Sequence, residues 1–273
     1  MPDVQEPRTC PWCASQRLRT GRGYAECEEC GHGFRETAEA VRGPLLTRAL
    51  AMRTSRRRLL ATAHAMTSFP EPESWLDVGT GYAEFPEAAK ELFTYTSFDG
   101  VDTTPRVDRA RSAGRVEEAH RELTSALDSR YDVVSVLHHL AHTPNPRAEL
   151  SAALRTLRPG GHALLELPAP TPLNKWRTPQ AHHLIPLENL RAELEAQGYE
   201  IIKTDRRGAH IPYDASTATA LLLTHHIPPR MLPLTKPLLA LATALDHTLA
   251  PLLRRTRFAN TYRVIARRRK GVA

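Results

Sequence analysis

The sequence predicts a parallel α/β sheet wrapped by helices on both faces, on three observations. Apolar runs of strand length alternate with helix-forming segments between residues 74 and 205. One of these runs ends in two closely spaced glycines, Gly79 and Gly81, at the start of a helix-forming stretch. With 273 residues and 41% hydrophobic side chains, the chain can bury a substantial core in one large or two modest domains.

Taken in order, residues 44–66 read as a helix leading into the sheet. Residues 74–79 form the first strand, 84–92 a helix and 97–102 the second strand. A helix over 105–112 precedes a polar third strand over 114–119. The fourth strand covers 132–137 and is followed by a helix over 147–157. Residues 162–167 give a fifth strand, 187–197 a helix closed by Gly198, and 200–205 a sixth strand. Residues 260–268 give the last one. Between these last two strands, residues 208–259 read as a helical insertion that covers the substrate side or forms a dimer face. Its apolar run from Pro237 to Leu245 is broken by Asp246 and His247, short of the roughly twenty apolar residues that cross a bilayer. No internal repeat is visible.

The glycine turn carries the chemistry. In Ser74-Trp75-Leu76-Asp77-Val78-Gly79-Thr80-Gly81-Tyr82-Ala83-Glu84-Phe85, the glycines let the backbone approach a bound nucleoside where a Cβ would intrude. Asp102, at the end of the next strand, stands where a ribose hydroxyl pair needs a carboxylate acceptor. The pattern lacks the third glycine of the dinucleotide fingerprint, which argues against a pyrophosphate at the helix start.

The D-V-G-T-G-Y run followed by G-V-D resembles motif I and the second-strand acid of class I S-adenosylmethionine (SAM)-dependent methyltransferases. Tyr131-Asp132-Val133-Val134-Ser135-Val136-Leu137-His138-His139-Leu140 is similar to that family's fourth strand and exit loop. Leu157-Arg158-Pro159-Gly160-Gly161 is similar to its L-x-P-G-G turn before the fifth strand. The resemblance implies a Rossmann-like, seven-stranded, mostly parallel sheet, with the seventh strand antiparallel between the fifth and sixth. It also implies SAM as methyl donor, held by Asp77, Gly79, Gly81, Asp102 and Leu137, and a methyltransferase domain over residues 70–273.

A second module precedes it. All four cysteines lie in two C-x2-C pairs, Cys10/Cys13 and Cys27/Cys30, with thirteen residues between the pairs. This spacing suits four thiolates around one structural Zn²⁺, leaving no open coordination position for catalysis. A zinc ribbon over residues 1–36 and a helical linker over 37–69 follow from it. A module this small buries little core, so the metal supplies its folding energy. His32 is read as solvated rather than as a replacement for Cys30. The alternative, two disulfides, finds no support, because nothing at the N-terminus reads as a secretion signal; a cytoplasmic location is expected.

The formal charge of +7 suggests phosphate binding until it is located. Residues 254–273 carry eight Arg or Lys and no acid, and subtracting those eight cations from +7 leaves −1. A second basic stretch contains Arg42, Arg48, Arg53, Arg56, Arg57 and Arg58. Such runs are most often solvated faces, so the charge raises the nucleic-acid reading only slightly.

Methyl transfer needs alignment above all, and a base only where the acceptor must lose a proton. The candidates for a base are His138, His139 and His142, which leave the fourth strand where the resembled family touches both SAM and acceptor. His139 matches the histidine of that family's V-L-E-H-L pattern, and His138 replaces its glutamate. For each histidine taken singly, hydrogen bonding within the loop outweighs catalysis. Tyr82 and Glu84 are candidates for the methionine end of SAM. Trp176 and the pair His182/His183 are candidates for the acceptor side.

With the cysteines committed to metal, no thiol remains for cytosine C5 attack, and the N-P-P-Y and C-x3-C-x2-C signatures are absent. The expected partner is a small-molecule acceptor (a sugar, lipid or specialised metabolite), with ribosomal or transfer RNA second. A non-catalytic binding protein comes last, because Asp77, Gly79, Gly81 and Asp102 are all present. Peripheral membrane contact is disfavoured, and a homodimer is compatible with the inserted helices.

Overall fold

The computed structural model describes residues 9–21, 24–35, 56–171, 182–206 and 261–270, with isolated helical positions between 219 and 248. Three short strands open the chain: β1 Leu18–Gly21, β2 Tyr24–Cys27 and β3 Gly33–Phe34. Helix α1 Arg56–Ala63 leads through a 3-10 turn into β4 Ser74–Val78, α2 Glu84–Ala89 and β5 Ser97–Val101. These are followed by α3 Arg106–Ser112, β6 Ala119–His120, β7 Tyr131–Leu137, α4 Pro146–Arg155 and β8 Leu157–Pro168. Last come β9 His183–Leu184, α5 Leu187–Ala196, β10 Tyr199–Asp205 and β11 Thr261–Arg268.

Seven strands form one sheet in the order β10-β11-β8-β7-β4-β5-β6. β4 pairs in parallel with both β5 and β7, and β7 in parallel with β8. β11 runs antiparallel between β8 and β10. This is the Rossmann-like, mostly parallel arrangement expected from the motifs.

Strand alternation decides which helices cover which face. Trp75 points to one side, where it meets Phe85, Phe93 and Phe98 under α1 and α2. Leu76 and Val78 point to the other, into a cluster with Val134, Val136, Leu150 and Leu190. Asp77 shares the face of Trp75 and lies opposite Ser135 of β7 in the register. α4 begins where the sequence allows a sharp start: Asn145 Oδ1 accepts the Ala148 N–H at 3.1 Å, and Pro146 occupies the first turn, where its missing donor costs nothing.

Two elements differ from the sequence expectation. The third strand is only Ala119–His120, after Gly114 turns the chain at φ +71. The fifth begins at Leu157, because Leu-Arg-Pro-Gly-Gly is a bulge within the strand rather than a turn ahead of it. The register jumps from Tyr131↔Leu157 to Val133↔His162. Gly161 is required there, since a Cβ would stand 2.9 Å from the Asp132 carbonyl.

The ribbon strands do not form a separate body. The second sheet has the order β1-β2-β3-β9, so its last strand comes from beyond the five parallel strands of the larger sheet in sequence. Cys10, Trp12, Ala25, Cys27 and Phe34 belong to the same buried cluster as Leu76 and Val134. The N-terminal strands therefore share the core of the larger sheet for their stability. The expected insertion at 208–259 lies outside the described residues apart from isolated helical positions. The segment 37–55 and Trp176 lie outside them as well. Among the described residues no helix is long and apolar enough to cross a membrane.

Candidate active site and metal centre

At the C-terminal ends of β4, β7 and β8 the sheet opens into a cleft of about 320 Å³. Open α/β sheets bind ligands at this edge. Its floor is the turn Asp77-Val78-Gly79-Thr80-Gly81; Tyr82, Glu84 and Phe85 close one wall, and Leu137, His138 and Glu166 the opposite one. α1 contributes Arg58, Leu59 and Thr62 from above, and Arg106 stands at the rim with its guanidinium 5.5 Å from the Tyr82 ring centroid.

Gly79 adopts φ +75, a left-handed conformation that strains any side chain. A Cβ there would lie 2.4 Å from the His139 ring. His139 therefore packs against the glycine turn from below, with Nε2 3.1 Å from Glu149 Oε1. Gly79→Ala is expected to push His139 off the turn and to cost about 1–2 kcal/mol from the left-handed backbone alone. A lowered unfolding midpoint together with loss of S-adenosylhomocysteine (SAH) binding in calorimetry checks this.

Asp77 is buried at 4% exposure, and its Oδ1 accepts the Ser135 hydroxyl at 2.6 Å, which in turn accepts from Trp75 Nε1 at 3.0 Å. Burial pushes its carboxyl up to about 6, against the opposing pull of the Ser135 hydrogen bond. Among the described residues it has no salt-bridge partner. A carboxylate held in low dielectric without a cation invites a cationic ligand.

Asp102 sits just beyond β5 and does not line the cleft. Its Oδ2 accepts the Gly81 N–H at 2.9 Å, and its Oδ1 accepts the Thr104 N–H at 2.8 Å and hydroxyl at 2.5 Å. The residue expected to hold ribose thus braces the glycine turn. Three of a carboxylate's roughly four acceptor positions are used, leaving one for a ligand hydroxyl.

The three candidate bases separate. Only His138 lines the cleft. His139 faces Gly79 and Glu149, and His142 is exposed beyond the short turn His139–Ala141. His138 is held at φ +60, with its N–H donating to the Glu166 carbonyl at 2.7 Å. Burial lowers its pKa against the opposing pull of Glu166, and Arg58 and Arg263 push the same way as burial, so the ring favours its neutral form. Its Nε2 lies 3.1 Å from Glu166 Oε1 and also meets the Arg58 guanidinium. Arginine only donates and an ionised carboxylate only accepts, so this nitrogen serves one of them at a time.

Glu166, Arg263, Arg58 and Thr62 escaped the sequence reading. Glu166 lies directly opposite Arg263 in the β8–β11 register, and both are buried. Arg263 donates to Glu166 Oε2 from Nε at 3.1 Å and from Nη2 at 2.9 Å, and Thr62 Oγ1 donates to the same oxygen at 3.2 Å. Arg58 approaches Oε1 at 3.6 Å. The signal was present: a lone acid in Leu164-Leu165-Glu166-Leu167 and a lone cation in Tyr262-Arg263-Val264 each break an apolar strand. A charge at such a place needs a partner.

At the N-terminus, Cys10, Cys13, Cys27 and Cys30 bring their sulfurs within 4.8 Å of one another. Two of the edges are 3.8 Å (Cys10–Cys30) and 3.5 Å (Cys13–Cys27). A tetrahedron with metal–sulfur bonds of about 2.3 Å has edges of about 3.8 Å, so the cage fits zinc. Burial pushes the Cys10 thiol up to about 11 and Cys30 upward too, so their thiolate forms call for a cation. The expectation of a solvated His32 is corrected: it is fully buried, with Nδ1 3.6 Å from Cys10 Sγ. Burial brings its pKa down to about 3.

Fold and cleft together define an α/β protein that binds a nucleoside-type cofactor at the glycine turn after β4. The model of a methyltransferase-domain family matches residues 48–204, more than half of the chain. The chain belongs to that family and is a class I SAM-dependent methyltransferase, with SAM as its methyl donor. No curated protein matches it.

Among solved structures, a SAM-dependent methyltransferase from Archaeoglobus fulgidus is 18% identical, with a TM-score of 0.54 over 82% of this chain and 99% of that one. The plantazolicin methyltransferase BamL, in complex with a triazolic desmethylPZN analog and SAH, is 14% identical, with a TM-score of 0.55 over 82% and 90%. The [4+2]-cyclase SpnF is 19% identical, with a TM-score of 0.51 over 78% and 81%. At such identities the likeness is one of fold, and the acceptor has to be argued from this chain's own residues.

Proposed function

We propose that the protein methylates a small-molecule acceptor: a sugar, a lipid or a specialised metabolite. The observation that carries this reading is the pairing of Arg263, Arg267 and Arg268, which lie in the described part of the basic C-terminal run, the strongest hint of nucleic acid in the sequence. Arg263 is buried against Glu166, Arg267 pairs with Glu200 at 2.7 Å, and Arg268 donates to the Leu157 carbonyl and to Ser129 Oγ. Of the second run, Arg56 pairs with Glu91 and Arg58 with Glu166. Arg263 is spent in the interior, and Arg56 and Arg267 are paired with acids at the surface, which reduces the positive charge these residues offer to a phosphate backbone.

SAM supplies an electrophilic methyl on a sulfonium, and alignment with the acceptor does most of the rest. In this proposal Asp77 faces the cationic part of the cofactor, Gly79 and Gly81 admit it, and Leu137 packs against it. Asp102 fixes the turn and offers its remaining lone pair to ribose. His138 is the cleft's neutral imidazole and takes the acceptor's proton where the acceptor ionises on transfer. Zn²⁺ on the four thiolates is structural. Thiols gathered as metal ligands fit a reducing compartment, so we propose a cytoplasmic location.

The test is incubation of the purified protein with radiolabelled SAM, with RNA and a small-molecule extract offered separately. Label is expected in the small-molecule fraction, and label in RNA alone would overturn the proposal. Metal analysis of the same preparation is expected to give about one zinc per chain; oxidised thiols without zinc would refute the ribbon.

A further inference from the structure

The ribbon reaches the cleft by a continuous packed route. β3 pairs with β9 through Gly33↔Leu184 and Phe34↔His183, and the Arg35 N–H donates to the His182 carbonyl at 2.9 Å. Behind this pairing the buried rings of His32 and His183 stack with centroids 5.2 Å apart and planes 22° apart. Nε2 of His32 lies 3.2 Å from Nδ1 of His183, while Nδ1 of His32 faces Cys10 Sγ.

From β9 the route continues into the β7 exit loop. The His182 N–H donates to the Ala141 carbonyl at 2.8 Å, and Tyr24 of β2 packs against Ala141 and Leu184. Ala141 closes the short turn His139–Ala141. His139 of that turn carries the ring packed on Gly79, and His138, its N-cap, lines the cleft. Cys10, His32, His183, its neighbour His182, Ala141, His139 and Gly79 thus form one connected route from metal cage to cofactor turn.

We infer that zinc in the ribbon and SAM in the cleft bind cooperatively, with His32 and His183 as the positioning residues that couple them. The inference rests on the zinc and SAM readings above. The element both sites bias is β9 with the 139–141 turn, which is either docked or released. Zinc holds Cys10 and so keeps His32 against His183. That holds β9, which keeps His139 under Gly79 and His138 at the cleft wall. Release at the ribbon leaves buried imidazoles without partners, so the whole route loosens together. The coupling is reciprocal by linkage: whatever factor zinc contributes to SAM affinity, SAM contributes to zinc affinity.

The experiment uses the full chain with reduced thiols. SAH affinity is measured by calorimetry with zinc bound and after its removal by a chelator, and zinc affinity is measured against a chromogenic chelator with and without saturating SAH. Both arms are expected to give the same factor, on the order of tenfold. Hydrogen exchange at Ala141, His142 and His182 is expected to quicken on zinc removal, a readout independent of binding. If stripping zinc unfolds the chain, the zinc-loaded variants decide. His183→Leu is expected to keep its zinc and bring the SAH effect on zinc affinity close to one, with partial recovery in His183→Gln. No factor in either arm, or an undiminished factor in His183→Leu, would overturn the coupling. Failure of the zinc-loaded protein to bind SAH at all overturns the cofactor reading instead, and the coupling with it.

Discussion

Asp77→Asn is expected to make the ligand-free protein more stable at neutral pH while weakening SAH binding by about tenfold or more, the loss of one hydrogen bond to a charged group. Both effects come from one buried carboxyl. Its folded-state pKa is raised by burial to about 6 from an ordinary value of 3.8. Between those two values the native state binds more protons than the unfolded chain, so stability falls as pH rises through this window. The contribution of the protonated carboxyl is fully present below 3.8 and is lost as pH passes about 6. At about 1.4 kcal/mol per unit, the penalty above the window is on the order of 3 kcal/mol.

Asparagine keeps an acceptor for the Ser135 hydroxyl and carries no charge to desolvate. Thermal unfolding across the window is expected to show the wild-type slope and its absence in the variant. A variant less stable than wild type near neutral pH would show that some cation already offsets the charge.

Glu166→Leu carries the largest expected loss of stability. It strips Arg263 of both its hydrogen bonds to Oε2 in a site where both residues are buried. Removing one partner of a buried ion pair costs about 3–5 kcal/mol, because the other charge remains without compensation. Adding Arg263→Met removes that orphaned charge, so the double variant is expected to recover much of the loss. Arg58, on the open side of the cleft, can turn toward solvent and does not share the penalty. Denaturant titrations of the two single variants and the double variant give the coupling energy. Additive losses would mean that the two side chains act independently.

Much of the fold is legible in short stretches of chain. The strand-turn-helix from Ser74 to Phe85 is written in local terms, by alternation that buries Trp75 and Leu76 on opposite faces and by glycines at positive φ. Two C-x2-C pairs at this separation suit a tetrahedral cage, and the structure brings all four sulfurs together. The bulge at Leu157–Gly161 was visible as a glycine-rich motif, but its place inside a strand depends on the register with β7.

The site was half legible. Three histidines leave β7 together, and residue order gives no means of telling them apart. Their separate fates follow from which way a single left-handed residue, His138, turns the chain. Glu166 and Arg263 stand ninety-seven residues apart and meet only because β11 inserts antiparallel beside β8.

The sequence alone determined the class of fold, the methyltransferase family and the gathering of the four cysteines, since each is written in backbone geometry or residue spacing within a few residues. Tertiary structure decided which histidine faces the cleft, how the buried charges pair, and that the ribbon is stitched to the catalytic sheet through β9. Those outcomes depend on strand order and on burial, which bring distant residues into a low-dielectric interior where only compensated polar groups persist.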